Sequence, residues 1–101
     1  LQIIFDPVNL LCVDNIDKQD EIIEKAFELL GDDIAVVHCK DYVVEGNELK
    51  SIAAGTGSLN YPLLLKKIKE YKPYVHCTLE NTVPENAVAT REFMERTYAE
   101  V

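Results

Sequence analysis

Residues 35–41 read AVVHCKD, and this stretch decides how the rest of the chain is interpreted. Its β-branched residues favour a buried strand, and the polar residues His38 and Lys40 follow where that strand should end. Two other stretches share the design, since QIIFD at 2–6 and YVHCTLE at 74–80 are short apolar runs closed by a carboxylate. The pattern predicts three strands that present polar side chains at one end.

Helical patterns alternate with these strands. Three segments are predicted to be helical: Asp17 to Leu30, Tyr61 to Tyr71, and Glu85 or Asn86 to about Ala99. Gly31 is expected to be the C-cap of the first helix and Asn60 the N-cap of the second. Residues 42–50 predict a small hairpin or an excursion of the loop. The order β-α-β-α-β-α predicts an α/β fold of three βα units, with right-handed crossovers and a parallel sheet covered by helices.

Composition restricts the class of protein. The 101 residues, 48% hydrophobic and 28% charged, suit one globular domain over residues 1–101. The formal net charge of −8 argues against nucleic acid as a partner, and no apolar run approaches the roughly 20 residues that span a membrane. Three cysteines without C-x-x-C spacing argue against a disulfide framework or a structural zinc site. We therefore expect a cytoplasmic protein with reduced thiols.

Strand side chains alternate between two faces, which sorts the residues of the three strands. One face turns polar toward the C-terminal end of each strand: Gln2, Ile4 and Asp6, then Ile34, Val36, His38 and Lys40, then Tyr74, His76, Thr78 and Glu80. The other face is apolar and places Cys39 and Cys77 under the helices as small core residues. A doubly wound sheet should be apolar on both faces, whereas the inner face of a (β/α)8 barrel turns polar at its C-terminal rim. The pattern favours the barrel.

Asp6, His38 and Glu80 are the polar residues at the three strand ends. Together they offer two carboxylates and one imidazole, which form a two-oxygen, one-nitrogen ligand set for a divalent metal ion. A set without thiolate suits Mn²⁺, Mg²⁺, Co²⁺ or Zn²⁺.

The strand endings FDPVN (5–9), VVHCKD (36–41) and LEN (79–81), with GTGSLNYPLLLKKI (55–68) between the last two, resemble the xylose isomerase-like TIM-barrel superfamily. This group includes sugar and sugar-phosphate isomerases and epimerases, inosose dehydratases and endonuclease IV. The resemblance implies that the chain is the C-terminal portion of a barrel of about 250 residues and supplies its strands 6 to 8.

Within this resemblance, Asp6, His38 and Glu80 match metal ligands on strands six, seven and eight. A further ligand of the family, a glutamate on strand four, lies outside these 101 residues. In the family's isomerases and epimerases the metal holds substrate oxygens, and carboxylates on opposite sides of the sugar move a proton through an enediolate. The resemblance implies that Glu80 is both ligand and acid/base, that the substrate is a sugar or sugar phosphate, and that the isolated chain is inactive.

Five residues are predicted to lie near the substrate: Lys40, Asn9, Asp41, Gly55 and Gly57. Lys40 and Asp41 resemble the family's H-x-K-D ending, and Lys40 is expected to contact a substrate oxygen or phosphate or to form a salt bridge with a neighbouring carboxylate. Gly55 and Gly57 follow strand seven, a usual phosphate region of TIM barrels, although a simple turn is the stronger interpretation of so short a motif. Asn9 stands where several relatives have a histidine, which argues against a multi-zinc centre. His76 is expected to be a hydrogen-bonded residue of the barrel interior.

Two alternatives stay open. The first is a small-molecule binding or regulatory module that has the same fold but does not catalyse a reaction. The second is an endonuclease IV-like phosphodiesterase, which is less favoured because that family has an Asp-Arg-His element where residues 45–57 read EGNELKSIAAGTG. Three parallel strands would leave two unpaired edges, so the chain is also expected to form a homo-oligomer.

Overall fold

The computed structural model describes residues 2–101. Its helices and strands follow in the order β1 (Ile3–Phe5), α1 (Gln19–Leu30), β2 (Ile34–Cys39), β3 (Asp41–Glu45), β4 (Glu48–Ile52), α2 (Tyr61–Tyr71), β5 (His76–Leu79) and α3 (Ala87–Glu100). Short 3-10 helices cover Pro7–Leu10, Ile16–Lys18 and Gly31–Asp33. Within this range no helix is long and apolar enough to cross a membrane.

The central element is a parallel sheet of three strands in the order β1-β2-β5. Val37 lies opposite Cys77 and Cys39 opposite Leu79, so the C-terminal ends of β2 and β5 lie side by side. β3 and β4 form a separate antiparallel hairpin. The α/β class, the parallel sheet and the hairpin are therefore confirmed.

One face of the sheet is packed and the other is open. Phe5, Val37 and Cys39 belong to the core that the first two helices complete, and the Phe5 ring meets the Phe27 ring edge to face at 5.2 Å. On the opposite face the Ile4 side chain is 63% exposed, and His76 is exposed as well. The predicted division into two faces holds for these residues, and His76 lies on the open face; its predicted place in the interior of a barrel stays a prediction.

A bulge in β2 changes the predicted face of one residue. Ile3 lies opposite Ile34, but Ile4 lies opposite Val36, so Ala35 is an extra residue in β2. An extra residue reverses the alternation on its N-terminal side. Ile34 is accordingly in the core with only 2% exposure, and its predicted place on the polar face is wrong.

Two helix ends, the start of α2 and the end of α1, can be compared with the caps that the sequence predicts. α2 begins as predicted, since the Asn60 side chain accepts a hydrogen bond from the Leu63 N–H at 3.2 Å. Gly31 is the C-cap of α1, as predicted, although its dihedrals are right-handed, with φ −51° and ψ −42°. A Cβ on Gly31 would lie 2.7 Å from the Tyr71 ring. Gly31 therefore permits close packing of α1 against the end of α2.

Candidate metal centre

The three candidate ligands lie at the C-terminal edge of the parallel sheet. Asp6 directly follows β1, His38 is the penultimate residue of β2, and Glu80 directly follows β5. The Glu80 N–H donates to the Cys39 carbonyl at 2.9 Å, which continues the strand pairing one residue beyond β5. Asn81 then has a φ of 58°, a left-handed conformation that asparagine tolerates better than most residues. The chain thus leaves the sheet immediately after Glu80.

Asp6, His38 and Glu80 converge. One potential ligand atom from each side chain lies within 4.8 Å of the other two. Donors about 2.1 Å from a shared ion lie roughly 3 to 4 Å apart, so small side-chain rotations would bring these atoms to ligand distances. Two carboxylates and an imidazole fit a divalent ion. That they bind one stays a prediction.

His38 and Glu80 form the more exposed half of the centre. The His38 Nδ1 atom lies 2.9 Å from the Glu80 Oε1 atom, and the two side chains are 30% and 35% exposed. A proton on Nδ1 is therefore donated to the carboxylate, which orients both side chains. The same exposure leaves them accessible to a ligand from solution.

Asp6 belongs to the more buried half. Its Oδ1 atom accepts a hydrogen bond from the Val8 N–H at 3.1 Å and caps the first 3-10 helix. Its Oδ2 atom lies 3.1 Å from the Lys40 ammonium, and the side chains of Lys40 and Asp6 are only 14% and 7% exposed. Lys40 also donates to the Asn9 side-chain oxygen at 3.2 Å. The predicted salt bridge of Lys40 with a neighbouring carboxylate is confirmed, whereas its contact with substrate stays a prediction.

Asp41 has a structural role in place of the predicted contact with substrate. It is 1% exposed, and a buried charge is costly unless hydrogen bonds compensate it. Its Oδ1 atom accepts from the N–H groups of Tyr42 and Leu59 at 2.9 and 2.8 Å. Its Oδ2 atom accepts from those of Gly55 and Gly57 at 3.0 and 3.1 Å. Four donors therefore surround a carboxylate that a substrate does not reach.

The Gly55 and Gly57 amides are consequently occupied. A loop of this kind binds phosphate through free N–H groups, and here both donate to Asp41. Gly55 has a φ of +88°, and a Cβ on Gly57 would overlap the Tyr42 carbonyl oxygen. The glycines are required by the turn, which agrees with the simpler interpretation and removes the support for a phosphate site.

The role of Tyr61 was not predicted from the sequence. Its hydroxyl donates to the Lys40 carbonyl at 2.6 Å and so fixes the backbone beside the centre. Burial raises the pKa of Tyr61 far above its usual range, which keeps the hydroxyl protonated as a donor. Tyrosine at the start of a helix carries no local signal of such a contact.

Gln19 is a second residue that sequence reasoning missed. Its side chain joins the start of α1 to the hairpin and to α2 by three hydrogen bonds, with Tyr42 Oη, the Ser58 carbonyl and the Asn60 N–H. Burial and the nearby Asp41 raise the pKa of Tyr42, so its hydroxyl also stays protonated. These contacts link residues far apart in sequence, and only the fold brings them together.

Cys39 and Cys77 lie outside the group of candidate ligands. Cys39 is fully buried and is a core residue, as predicted, but Cys77 on the edge strand is exposed and is not covered by the helices. The neighbouring Cys77 thiol, together with burial, raises the pKa of Cys39, and the neighbouring Cys39 thiol lowers the pKa of Cys77.

The chain was compared with protein-family models, with curated proteins and with solved structures. No match was found. The xylose isomerase-like resemblance therefore stays a prediction.

Proposed function

We propose that the chain carries part of the active site of a metal-dependent sugar or sugar-phosphate isomerase or epimerase, with Asp6, His38 and Glu80 as metal ligands. The supporting observation is their convergence within 4.8 Å at the C-terminal edge of a parallel sheet. In TIM barrels the catalytic residues project from this edge of the strands. The proposal includes the assignment of β1, β2 and β5 to strands six to eight of such a barrel, with the open face as its inner face.

Asp6, Glu80 and His38 have different roles in the proposed reaction. A divalent ion, when bound, stabilises negative charge that develops on substrate oxygens. Asp6 is a rigid ligand, because the Val8 N–H fixes its other oxygen. Glu80 is half-exposed and takes a proton from a sugar carbon and returns it, as a carboxylate in general acid/base catalysis does. His38 orients Glu80 by the contact at 2.9 Å.

The substrate of this proposal is small and carries several hydroxyl groups. Lys40 and Asn9 lie beside Asp6 and offer an ammonium and an amide for hydroxyl or phosphate oxygens. A polyanion such as DNA is less favoured, since the chain has a formal charge of −8. The strand-four glutamate implied by the resemblance is the partner of Glu80 in proton transfer, so we expect the 101 residues alone not to turn over.

The metal centre is tested by Mn²⁺ titration of the 101-residue chain in a calorimeter. Asp6→Asn, His38→Ala and Glu80→Gln are each expected to weaken Mn²⁺ binding by about 10- to 100-fold or more, because each removes a ligand. His76→Ala is the matched control, since His76 is exposed on the same open face but lies outside the group of three. Absence of Mn²⁺ binding in the wild-type chain, or an equal loss in His76→Ala, would contradict the assignment.

The reaction is tested in the longest natural chain that contains these residues. Aldose and ketose phosphates are incubated with Mn²⁺ in D₂O, and exchange of the carbon-bound proton is followed by NMR. Glu80→Gln is expected to slow exchange by about 100-fold or more, because it removes the acid/base, while the exposed Glu85→Gln should not. Metal binding without exchange would favour the binding or regulatory module, and cleavage of abasic DNA would favour the phosphodiesterase.

Association between copies stays part of this proposal. β1 and β5 each leave one edge unpaired in the sheet, and exposed edges of this kind pair readily with another chain. The net charge of −8 opposes association of identical chains, so salt is expected to favour it. The three free cysteines fit action in the cytoplasm, where thiols stay reduced.

A further inference from the structure

Lys40 lies against the carboxylate of Asp6, one of the three candidate ligands. Its Nζ atom lies 3.1 Å from the Asp6 Oδ2 atom and 3.2 Å from the Asn9 Oδ1 atom. Asp6 Oδ1 already accepts the Val8 N–H. Among residues 2–101 no backbone N–H donates to Oδ2, and it is the oxygen that the ammonium holds.

We propose that Lys40 competes with the metal ion for Asp6 and thereby sets the metal affinity of the centre. This inference rests on the proposed metal centre and adds how its occupancy is controlled. Without a metal, the ammonium neutralises a carboxylate that is 7% exposed. A metal that binds Oδ2 displaces the ammonium, and the cost of that displacement lowers the affinity of the site.

The displaced ammonium stays close to the ion. The Lys40 backbone is fixed by the Tyr61 hydroxyl on its carbonyl, and Asn9 offers the ammonium a second acceptor. Two positive charges on the ion and one on Lys40, about 5 Å apart, repel each other enough to weaken binding at least roughly tenfold even with the dielectric of water. The low exposure of both side chains reduces screening further.

The test is Mn²⁺ affinity, measured by calorimetry on the 101-residue chain. Lys40→Met and Lys40→Gln are expected to bind Mn²⁺ about tenfold or more tightly than the wild type, because the competing charge is gone. Lys40→Arg keeps the charge and should bind like the wild type. Lys50→Met is the matched control: it makes the same change in net charge on the hairpin, where Lys50 is 62% exposed beside Glu45, and should leave the affinity unchanged.

The outcomes separate the two proposals. If the wild type binds Mn²⁺ and the neutral Lys40 variants bind equally or more weakly, the competition is refuted and the metal centre stands. If the wild type does not bind Mn²⁺, both proposals fail. Should Lys40→Met lose its circular dichroism signal, Lys40→Gln decides the result, because its side chain is also neutral but polar.

Discussion

Replacement of Asp41 by alanine is expected to destabilise the protein by about 3–5 kcal/mol, the cost typical of breaking a buried charge arrangement. Its carboxylate accepts four backbone N–H groups, from Tyr42, Leu59, Gly55 and Gly57. Alanine leaves these four donors without their acceptor, and a buried unsatisfied donor carries its full desolvation penalty. The midpoint of urea unfolding, at unchanged m-value, is the measurement.

The Asp41→Asn variant tests the same hydrogen bonds with a side chain of nearly the same size. Both Asp41 oxygens are used as acceptors, so either orientation of an amide directs an NH₂ group at two backbone donors. We therefore expect asparagine to cost nearly as much as alanine. Asp32→Ala is the control, because Asp32 is exposed and should change stability by less than about 0.5 kcal/mol. A near-wild-type unfolding midpoint for Asp41→Asn would show that the four contacts do not hold the turn.

Gly57→Ala is expected to be the second most damaging change, at about 3 kcal/mol. A Cβ at Gly57 would overlap the backbone of Tyr42 and approach the Asp41 carboxylate. Backbone cannot rotate aside as a side chain can, so the turn must shift and lengthen its hydrogen bonds to Asp41. Urea unfolding again provides the free energy.

Gly46→Ala is the comparison that isolates the clash. Gly46 is at the hairpin tip with a φ of +61°, and no atom lies within 4 Å of its Cβ position. Alanine there is expected to lower the free energy of unfolding by only about 1–2 kcal/mol, the cost of the left-handed conformation. A smaller loss for Gly57→Ala than for Gly46→Ala would mean that the 53–59 segment adapts without strain.

Local signals predicted the helices and strands well. α2 runs from Tyr61 to Tyr71 as expected, because its start depends on the Asn60 side chain and a proline in its first turn. Alternation also placed Asp6, His38 and Glu80 at one edge of the sheet, where the structure brings them together. These features depend on residues that are close in sequence or on the alternation of strand side chains between two faces. Both can be recognised from one amino-acid sequence.

Long-range features were not predictable in the same way. Three of the four donors to Asp41 lie 14 to 18 residues further along the chain, so the sequence around Asp41 does not distinguish a buried acceptor from a ligand for substrate. The bulge at Ala35 depends on which residues of β2 pair with β1. Because of this bulge, Ile34 lies in the core and not on the predicted polar face. The place of Gly31 as the C-cap of α1 was predicted, but its close approach to the Tyr71 ring was not, because Tyr71 lies 40 residues further along the chain.

The hydrogen bonds of Asp41 join the two ends of the segment that contains the β3–β4 hairpin. The chain leaves the sheet at Lys40 and returns to Asp41 through the Gly55, Gly57 and Leu59 amides before α2 begins. Loop length enters stability only logarithmically, so residues inserted near Gly46 would be absorbed without moving α2 or the centre. Evolution can therefore vary the tip of this hairpin while Asp6, His38 and Glu80 keep their geometry.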